Sequence, residues 1–473
     1  MPRRFSPEQL AAISFSLART ALCGYRAAQQ SFTVDESTTF LNYVRGPWAR
    51  VYSHYDPNNH VLYSMLAKLS IRAFRVSEFT LRLPSVLGGF FLILGLYWVL
   101  EITTSSRAIR WAAVIVLSLN PLLLDLSVAA RGYGLGLALL VWAIYFSMRA
   151  RDFSAGVLLG LSVAANLTMA FPAVGVIACP LVLGEGNLEI RTRRILTLAI
   201  PAAAIAAVIS YPAFRGAETS QFYVGEPTLG ASIFNLIFTF VRASVDRLGL
   251  FGTGPGAHWI EFVFLPTVLL FILAVSVRTF LRDHAARPSL VPAVALLAAL
   301  AELVVAHYVA GMNYPVDRVG LYLFLLLGLA WATAASQLPN LPSRAIQGVL
   351  ACLLAVQFLT QFDTRYFELW AFDLPAKDVA RKIREESSGN APQSIALSAT
   401  WFQQPALEFY RDYYHIAALK PVERHTQTLL AGFDYYVLNL KDDADVKAGN
   451  WKRLSTLYTE PLSGVLLAKE PAP

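Results

Sequence analysis

Apolar residues along this 473-residue chain gather into long blocks separated by short basic connectors, and the last hundred or so residues abandon that pattern. The blocks are 9–27, 82–102, 111–130, 132–148, 153–167, 170–184, 195–212, 259–279, 289–310, 317–335 and 345–363. Most approach the ~20 residues that carry a helix across ~30 Å of hydrocarbon. The pattern therefore predicts an α-helical polytopic membrane protein with about eleven transmembrane helices. Met1-Pro2-Arg3-Arg4 followed by apolar 9–25 has the look of a signal peptide, but Arg19 interrupts the apolar run and Leu22, ahead of Cys23, is too large for a cleavage site. Segment 9–27 is read as a retained first span.

The connectors Arg3-Arg4, Arg107/Arg110, Arg149/Arg151, Arg191/Arg193/Arg194, Arg278/Arg282/Arg287 and Arg344 fall on one side of this count. Short basic loops stay in the cytoplasm, so the N-terminus is expected inside and the C-terminal domain outside the cytoplasmic membrane. Three long regions then lie outside: 28–81, 213–258 and the tail 364–473, with 228–250 reading as an amphipathic surface helix. Segment 28–81 runs against the charge rule, because it carries Arg45, Arg50, Lys68, Arg72 and Arg75. An outer loop that basic calls for an anionic ligand or headgroup nearby.

Composition sharpens the picture. Hydrophobic residues make up 56% and charged residues 15% of the chain, against roughly 45–50% and about 25% in soluble domains, which excludes a soluble enzyme. The net charge of +7 would suggest nucleic acid in a soluble protein; here it sits in the connectors and reads as topology, so no nucleic-acid partner is expected. Cys23, Cys179 and Cys352 lie in separate apolar stretches and read as small buried hydrophobes, without disulfide or metal spacing. In the tail, 375–387 reads as a charged helix, 393–398, 433–440 and 463–468 as short strands, and 406–414 as an aromatic helix: a small α/β domain. The glycine-rich 252–256 stretch is followed by no Lys-Ser/Thr pair and is not a phosphate loop.

Candidate chemistry clusters on the outer side. Phe32-Thr33-Val34-Asp35-Glu36 places two adjacent carboxylates just after the first span; carboxylates at an apolar boundary can act as general bases toward a hydroxyl. Thr33-x-x-Glu36 is equally a capping box that starts a helix, and the two readings are compatible. Tyr55-Asp56-Pro57-Asn58-Asn59-His60 either presents Asn58, Asn59 and His60 to sugar or phosphate oxygens or is a turn with an Asn cap. In Ala130-Arg131-Gly132-Tyr133-Gly134, Arg131 either clamps a phosphate or snorkels. Asn313-Tyr314-Pro315-Val316-Asp317-Arg318 offers a second arginine at the same edge, or an interfacial belt. Arg19, Asp125, Glu302 and His307 lie inside spans, where ionisable groups face the protein interior or a cavity. Glu302 and His307 sit roughly 140° apart on one helix. A divalent metal held by His60, His307 and a carboxylate is conceivable, but such dispersed ligands offer no spacing test, so the cofactor question stays open.

Taken in order, these segments resemble the GT-C superfamily of membrane glycosyltransferases, and within it the family of protein O-mannosyltransferases and the lipid A aminoarabinose transferase. The resemblance rests on Asp35-Glu36 in a long first outer loop, Asn58-Asn59-His60 before a surface helix, Leu81-Arg82-Leu83-Pro84-Ser85 entering the second span, Ala130-Arg131-Gly132-Tyr133, Asp317-Arg318 before a late span, and the α/β tail. It covers 1–363 in layout and is densest over 28–136. Asn59-His60-Val61 stands where many relatives have Lys-Pro-Pro or His-Pro-Pro, and Val319 where an aromatic is common. The resemblance implies a catalytic domain over 1–363 and a soluble domain over 364–473. It also implies a sugar donor on a polyprenyl phosphate, inverting transfer to an acceptor hydroxyl on a lipid, glycan or protein, and Asp35 as catalytic base beside Glu36. Donor contacts would come from Asn58, Asn59, His60, Arg82, Arg131, Tyr133, Asp317 and Arg318. The competing reading is a transporter or flippase of a lipid-linked sugar or another amphiphile, which predicts charged residues at mid-membrane and broken helices in repeated halves; no such repeat is visible. A membrane scaffold whose tail binds a partner is the third.

Overall fold

The computed structural model describes residues 5–53, 56–215, 225–242, 263–338, 341–387, 394–425, 429–440 and 449–470. Each of the eleven apolar blocks meets a helix: α1 (Pro7–Gln29), α4 (Glu78–Thr103), α5 (Arg107–Leu119), α7 (Gly132–Met148), α8 (Asp152–Ala165), α9 (Ala170–Leu183), α10 (Leu188–Phe214), then Leu265–Arg282, Val291–Ala310, Leu321–Ser336 and Leu341–Gln361. Among the described residues, five of these stretches are both long and apolar enough to cross a bilayer: 78–103, 188–211, 265–282, 287–310 and 317–336. Val208, Leu270 and Leu281 point outward at 77%, 65% and 69% exposure, an apolar coat suited to lipid. The chain is an integral membrane protein.

The 111–130 block breaks in two. Pro121 brings no N–H to continue the helix, and the Asn120 side chain accepts from Leu123 N at 3.0 Å, starting the short α6 (Pro121–Leu126). Arg19, Arg26 and Asp125 face inward, whereas Glu302 and His307 are only half-buried. Arg19 donates to Ser118 O and Ser127 Oγ at 3.2 and 3.1 Å, and Arg26 meets Asp125 at 2.6 Å.

The long loop after α1 is built rather than open. It holds α2 (Val34–Thr39), a π-helical turn Phe40–Val44, a 3-10 turn Trp48–Tyr52 and α3 (Val61–Phe74). Of the expected 228–250 helix, Leu229–Ile237 (α11) and the turn Phe238–Arg242 are described. Residues 243–258, including 252–256, lie outside the described residues, as do Arg3, Arg4 and Tyr55.

The tail carries a five-stranded sheet in the order β2-β1-β3-β5-β4, made of Leu397–Thr400 (β1), Glu423–His425 (β2), Tyr435–Asn439 (β3), Ser455–Glu460 (β4) and Val465–Lys469 (β5). β1 runs parallel to β2 and β3; β5 pairs antiparallel with β3 and β4. The expected charged and aromatic helices are present as Ala376–Ser387 and Gln404–Tyr413. The tail does not stand apart. Phe32 and Phe40 pack edge-on against Phe409 at 4.4 and 5.1 Å, Tyr410 Oη accepts from Phe32 N at 2.9 Å, and Lys377 pairs with Glu78 at 2.9 Å. One apolar core runs from the loop after α1 into the tail.

Candidate active site

Thr33 and Glu36 form the expected capping box: Glu36 N donates to Thr33 Oγ1 at 3.2 Å and Thr33 N to Glu36 Oε2 at 2.9 Å. The box begins α2 and sends the two carboxylates to different places. Glu36 turns inward and is fully buried with Arg82. Arg82 Nε and Nη2 bind its two oxygens at 2.8 and 2.7 Å, and Ala130 N donates to it as well. The remaining Arg82 donors go to the carbonyls of Ala27, Gln30 and Ser31 at 3.1, 2.7 and 2.7 Å. The Phe32 and Phe367 rings cover the guanidinium at 4.8 and 5.0 Å. Every N–H of Arg82 is taken by protein. Glu36 and Arg82, expected as catalytic and substrate-binding residues, are paired with each other away from Asp35.

Asp35, at the second position of α2, faces the other way and keeps 15% side-chain exposure. Arg318 Nη2 lies 2.9 Å from Asp35 Oδ2, and Arg131 Nη2 3.9 Å from the same oxygen. The three residues come from α2, from the turn before α7 and from the 3-10 turn Asp317–Gly320. Arg131 is 2% exposed and is held by Asn58 Oδ1 at 2.8 Å and by the Pro57 and Asn58 carbonyls at 3.3 Å. Arg318 keeps 28% exposure and lies over the Trp370 ring at 5.1 Å. Both guanidinium Nε atoms are buried with no hydrogen-bond partner. Two guanidinium groups face the Asp35 carboxylate, and the neighbouring Asp317 carboxylate also acts on Arg318.

His60 caps α3 and meets Tyr133 edge-on at 5.2 Å. Its Nε2 is buried with no hydrogen-bond partner among the described residues. Burial, reinforced by Arg131 and Arg318, pushes its pKa well below the usual histidine range and so favours the neutral ring. Gly132 makes this close packing possible: a Cβ there would sit 1.8 Å from the Ala165 oxygen and 3.0 Å from His60 Cβ.

Asn59 and Asp317, expected as ligand contacts, are both hydrogen-bonded within the protein. Asn59 donates to Val51 O at 2.9 Å and accepts from Ser64 Oγ at 3.0 Å. Asp317 has a left-handed φ of 45°. Its N–H donates to Asn235 Oδ1 at 2.8 Å, and its carboxylate accepts from Thr239 at 3.0 Å. This pins the turn that aims Arg318. The structure brings Asp35, Asn58, His60, Arg131, Tyr133 and Arg318 close together. Sequence reasoning missed Trp370 and Asp373, which the tail brings against it: Asp373 Oδ2 accepts from Val34 N at 2.7 Å. No linear signal marks either residue. Among the described residues no three His, Cys, Asp or Glu side chains gather as metal ligands. His307 Nδ1 donates to Met312 O at 2.8 Å, and the ring stacks on Tyr314 at 4.4 Å.

No family model matches the chain, and no curated protein matches it. Solved structures do. Arabinosyltransferase EmbB from Mycobacterium smegmatis aligns over 88% of this chain and 38% of its own, at 15% identity and TM-score 0.41. ArnT from Cupriavidus metallidurans bound to undecaprenyl phosphate aligns over 97% and 98%, at 15% and 0.41. The Archaeoglobus fulgidus oligosaccharyltransferase, in complex with Zn and sulfate, aligns over 98% and 73%, at 13% and 0.48. The chain thus spans well under two thirds of EmbB and nearly all of ArnT.

Proposed function

We propose that the protein is a GT-C-like glycosyltransferase that moves a sugar from a polyprenyl-phosphate donor to an acceptor hydroxyl at the outer face of the cytoplasmic membrane. The observation that carries this reading is the convergence of Asp35 with Arg131 and Arg318, from three parts of the chain, at a partly exposed place where two guanidinium groups meet one carboxylate. The donor's lipid tail would stay among the apolar helices while its phosphate takes Arg318 and Arg131. An arriving phosphate competes with Asp35 for Arg318 and so releases the carboxylate.

Asp35 then accepts the proton of the acceptor hydroxyl. The hydroxyl oxygen forms a bond to the anomeric carbon from the face opposite the phosphate. The carbon–oxygen bond to the phosphate breaks, its electron pair leaves with the lipid phosphate, and the sugar is inverted. A phosphate leaving group asks for neutralising charge rather than a proton donor, which two arginines supply. His60, its neutral form favoured, offers Nε2 to a sugar hydroxyl. Glu36 has no chemical role in this scheme.

The test is donor consumption by the purified protein in lipid nanodiscs, with a panel of radiolabelled polyprenyl-phosphate sugars and with Arg318→Lys and Arg131→Lys. Consumption by the wild type, and a donor KM raised about ten-fold or more in either variant, is the expected result, because lysine cannot reproduce the guanidinium fork. Donor-dependent stabilisation without turnover of any donor would turn the reading to a transporter.

A further inference from the structure

The first residues after the last span return to the catalytic pocket as a strap. Phe367 covers Arg82, and Trp370 lies under Arg318 at 5.1 Å. Leu374 O accepts from Ser31 Oγ at 2.7 Å, and Lys377 N donates to Ser31 Oγ at 3.3 Å. Between them sits Asp373, 2% exposed, whose Oδ2 takes the Val34 amide at 2.7 Å. Val34 is the first residue of α2, and the next residue is Asp35. The first amides of a helix lack partners within the helix. Here the capping box serves Glu36 N, and the tail serves Val34 N.

The second oxygen of Asp373 is buried without a hydrogen-bond partner. A buried carboxylate with one open oxygen is costly unless it is protonated. Burial pushes this carboxyl well above the usual range, and the charges of Asp35 and Glu36 raise it further. Lys377, on the following helix, is engaged with Glu78, and Arg318 with Asp35. The shift favours the protonated carboxyl over an ordinary carboxylate. Asparagine keeps the size of the side chain and an oxygen that can accept from Val34 N.

We propose that Asp373 is a positioning residue for the transfer reaction, through which the soluble tail fixes the turn that carries Asp35 and thereby completes the active site. This rests on Asp35 being the base. It makes the tail a structural part of the catalytic unit rather than an appended module.

Displacing a reacting group by about 1 Å can cost on the order of 100-fold in rate. Asp373→Ala in the full-length protein should lower kcat about 10- to 100-fold while the donor KM changes less than about two-fold, because Asp373 touches neither arginine. Asp373→Asn should restore kcat to within about three-fold. Val34→Pro removes the same hydrogen bond from the other end; proline suits the first helical position, and Thr33 is already extended at ψ 162°. In the Val34→Pro background, Asp373→Ala should therefore add little, and this arm holds even if Asp373→Ala alone folds poorly. Wild-type kcat in Asp373→Ala, equal loss in the alanine and asparagine variants, or multiplicative effects of Val34→Pro and Asp373→Ala would overturn the proposal. Wild-type protein that consumes no donor overturns the transferase reading itself, and this inference with it.

Discussion

Glu36 and Asp35 are neighbours with opposite assignments, and Glu36→Gln separates them. The Glu36 carboxylate compensates Arg82 in a fully buried pair and takes two backbone amides besides, Thr33 N and Ala130 N. Removing one partner of such a pair leaves an uncompensated buried charge, which costs about 3–5 kcal/mol. Glutamine keeps one acceptor oxygen but places an NH2 where the second oxygen received protein donors. A further unsatisfied donor adds about 1–3 kcal/mol. The same carboxylate ties the start of α2 to α4 and to the turn before α7, so its loss should loosen the whole entrance. Against a total stability of about 5–15 kcal/mol, the variant should unfold many degrees below the wild type. The assay is thermal unfolding in nanodiscs, read alongside donor consumption at a temperature where the variant remains folded. A stability within a degree or two of wild type combined with abolished turnover would refute this reasoning and return Glu36 to the chemistry.

Gly132→Ala puts a Cβ 1.8 Å from a backbone oxygen that has no room to move; overpacking of this kind costs at least about 1–3 kcal/mol, so the variant should show lowered expression and melting temperature, whereas Gly348→Ala, with nothing within 4 Å of its Cβ, should match wild type. The pKa of His60 is lowered in the fold, so the unfolded chain binds the extra proton first and stability should fall as pH drops below about 6.5; His60→Gln should flatten that limb of the stability profile. Asp373 has the opposite sign, because its raised pKa makes the folded state bind the proton more tightly. Its contribution is present near pH 4 and is lost as pH climbs toward the raised value, so Asp373→Asn should gain stability relative to wild type as pH rises.

What could be read in the chain was local or periodic. The Thr33–Glu36 box is an i,i+3 signal, and it forms as written. The eleven apolar blocks have helical length, and each meets a helix; only the Asn120-Pro121 break was overlooked. In the tail, β1, β3 and β5 are buried and apolar enough to announce themselves. The missed strands β2 and β4 are exposed edge strands, with little apolar content to betray them. The site was legible as a set of candidates but not as roles. Arg82 and Arg131 look alike in sequence, each an arginine beside an apolar helix. Only the fold shows that Arg82 is saturated by Glu36 and three carbonyls, whereas Arg131 stands beside Asp35. Asp373 reaches the Asp35 turn across 339 positions of chain, Trp370 packs on Arg318, and no local pattern encodes such contacts. The tail's shared core with Phe32 and Phe40 was hidden for the same reason.

The central claim is that Asp35 removes the acceptor proton. The most direct measurement is consumption of radiolabelled polyprenyl-phosphate sugar by wild type and Asp35→Asn in parallel, with slow hydrolysis followed when no acceptor is supplied. Asparagine keeps the size of the side chain and a hydrogen bond to Arg318 but cannot take the proton. The account predicts a loss of about 100-fold or more, with donor binding retained. Equal turnover by the two proteins would contradict it and remove Asp35 from the reaction.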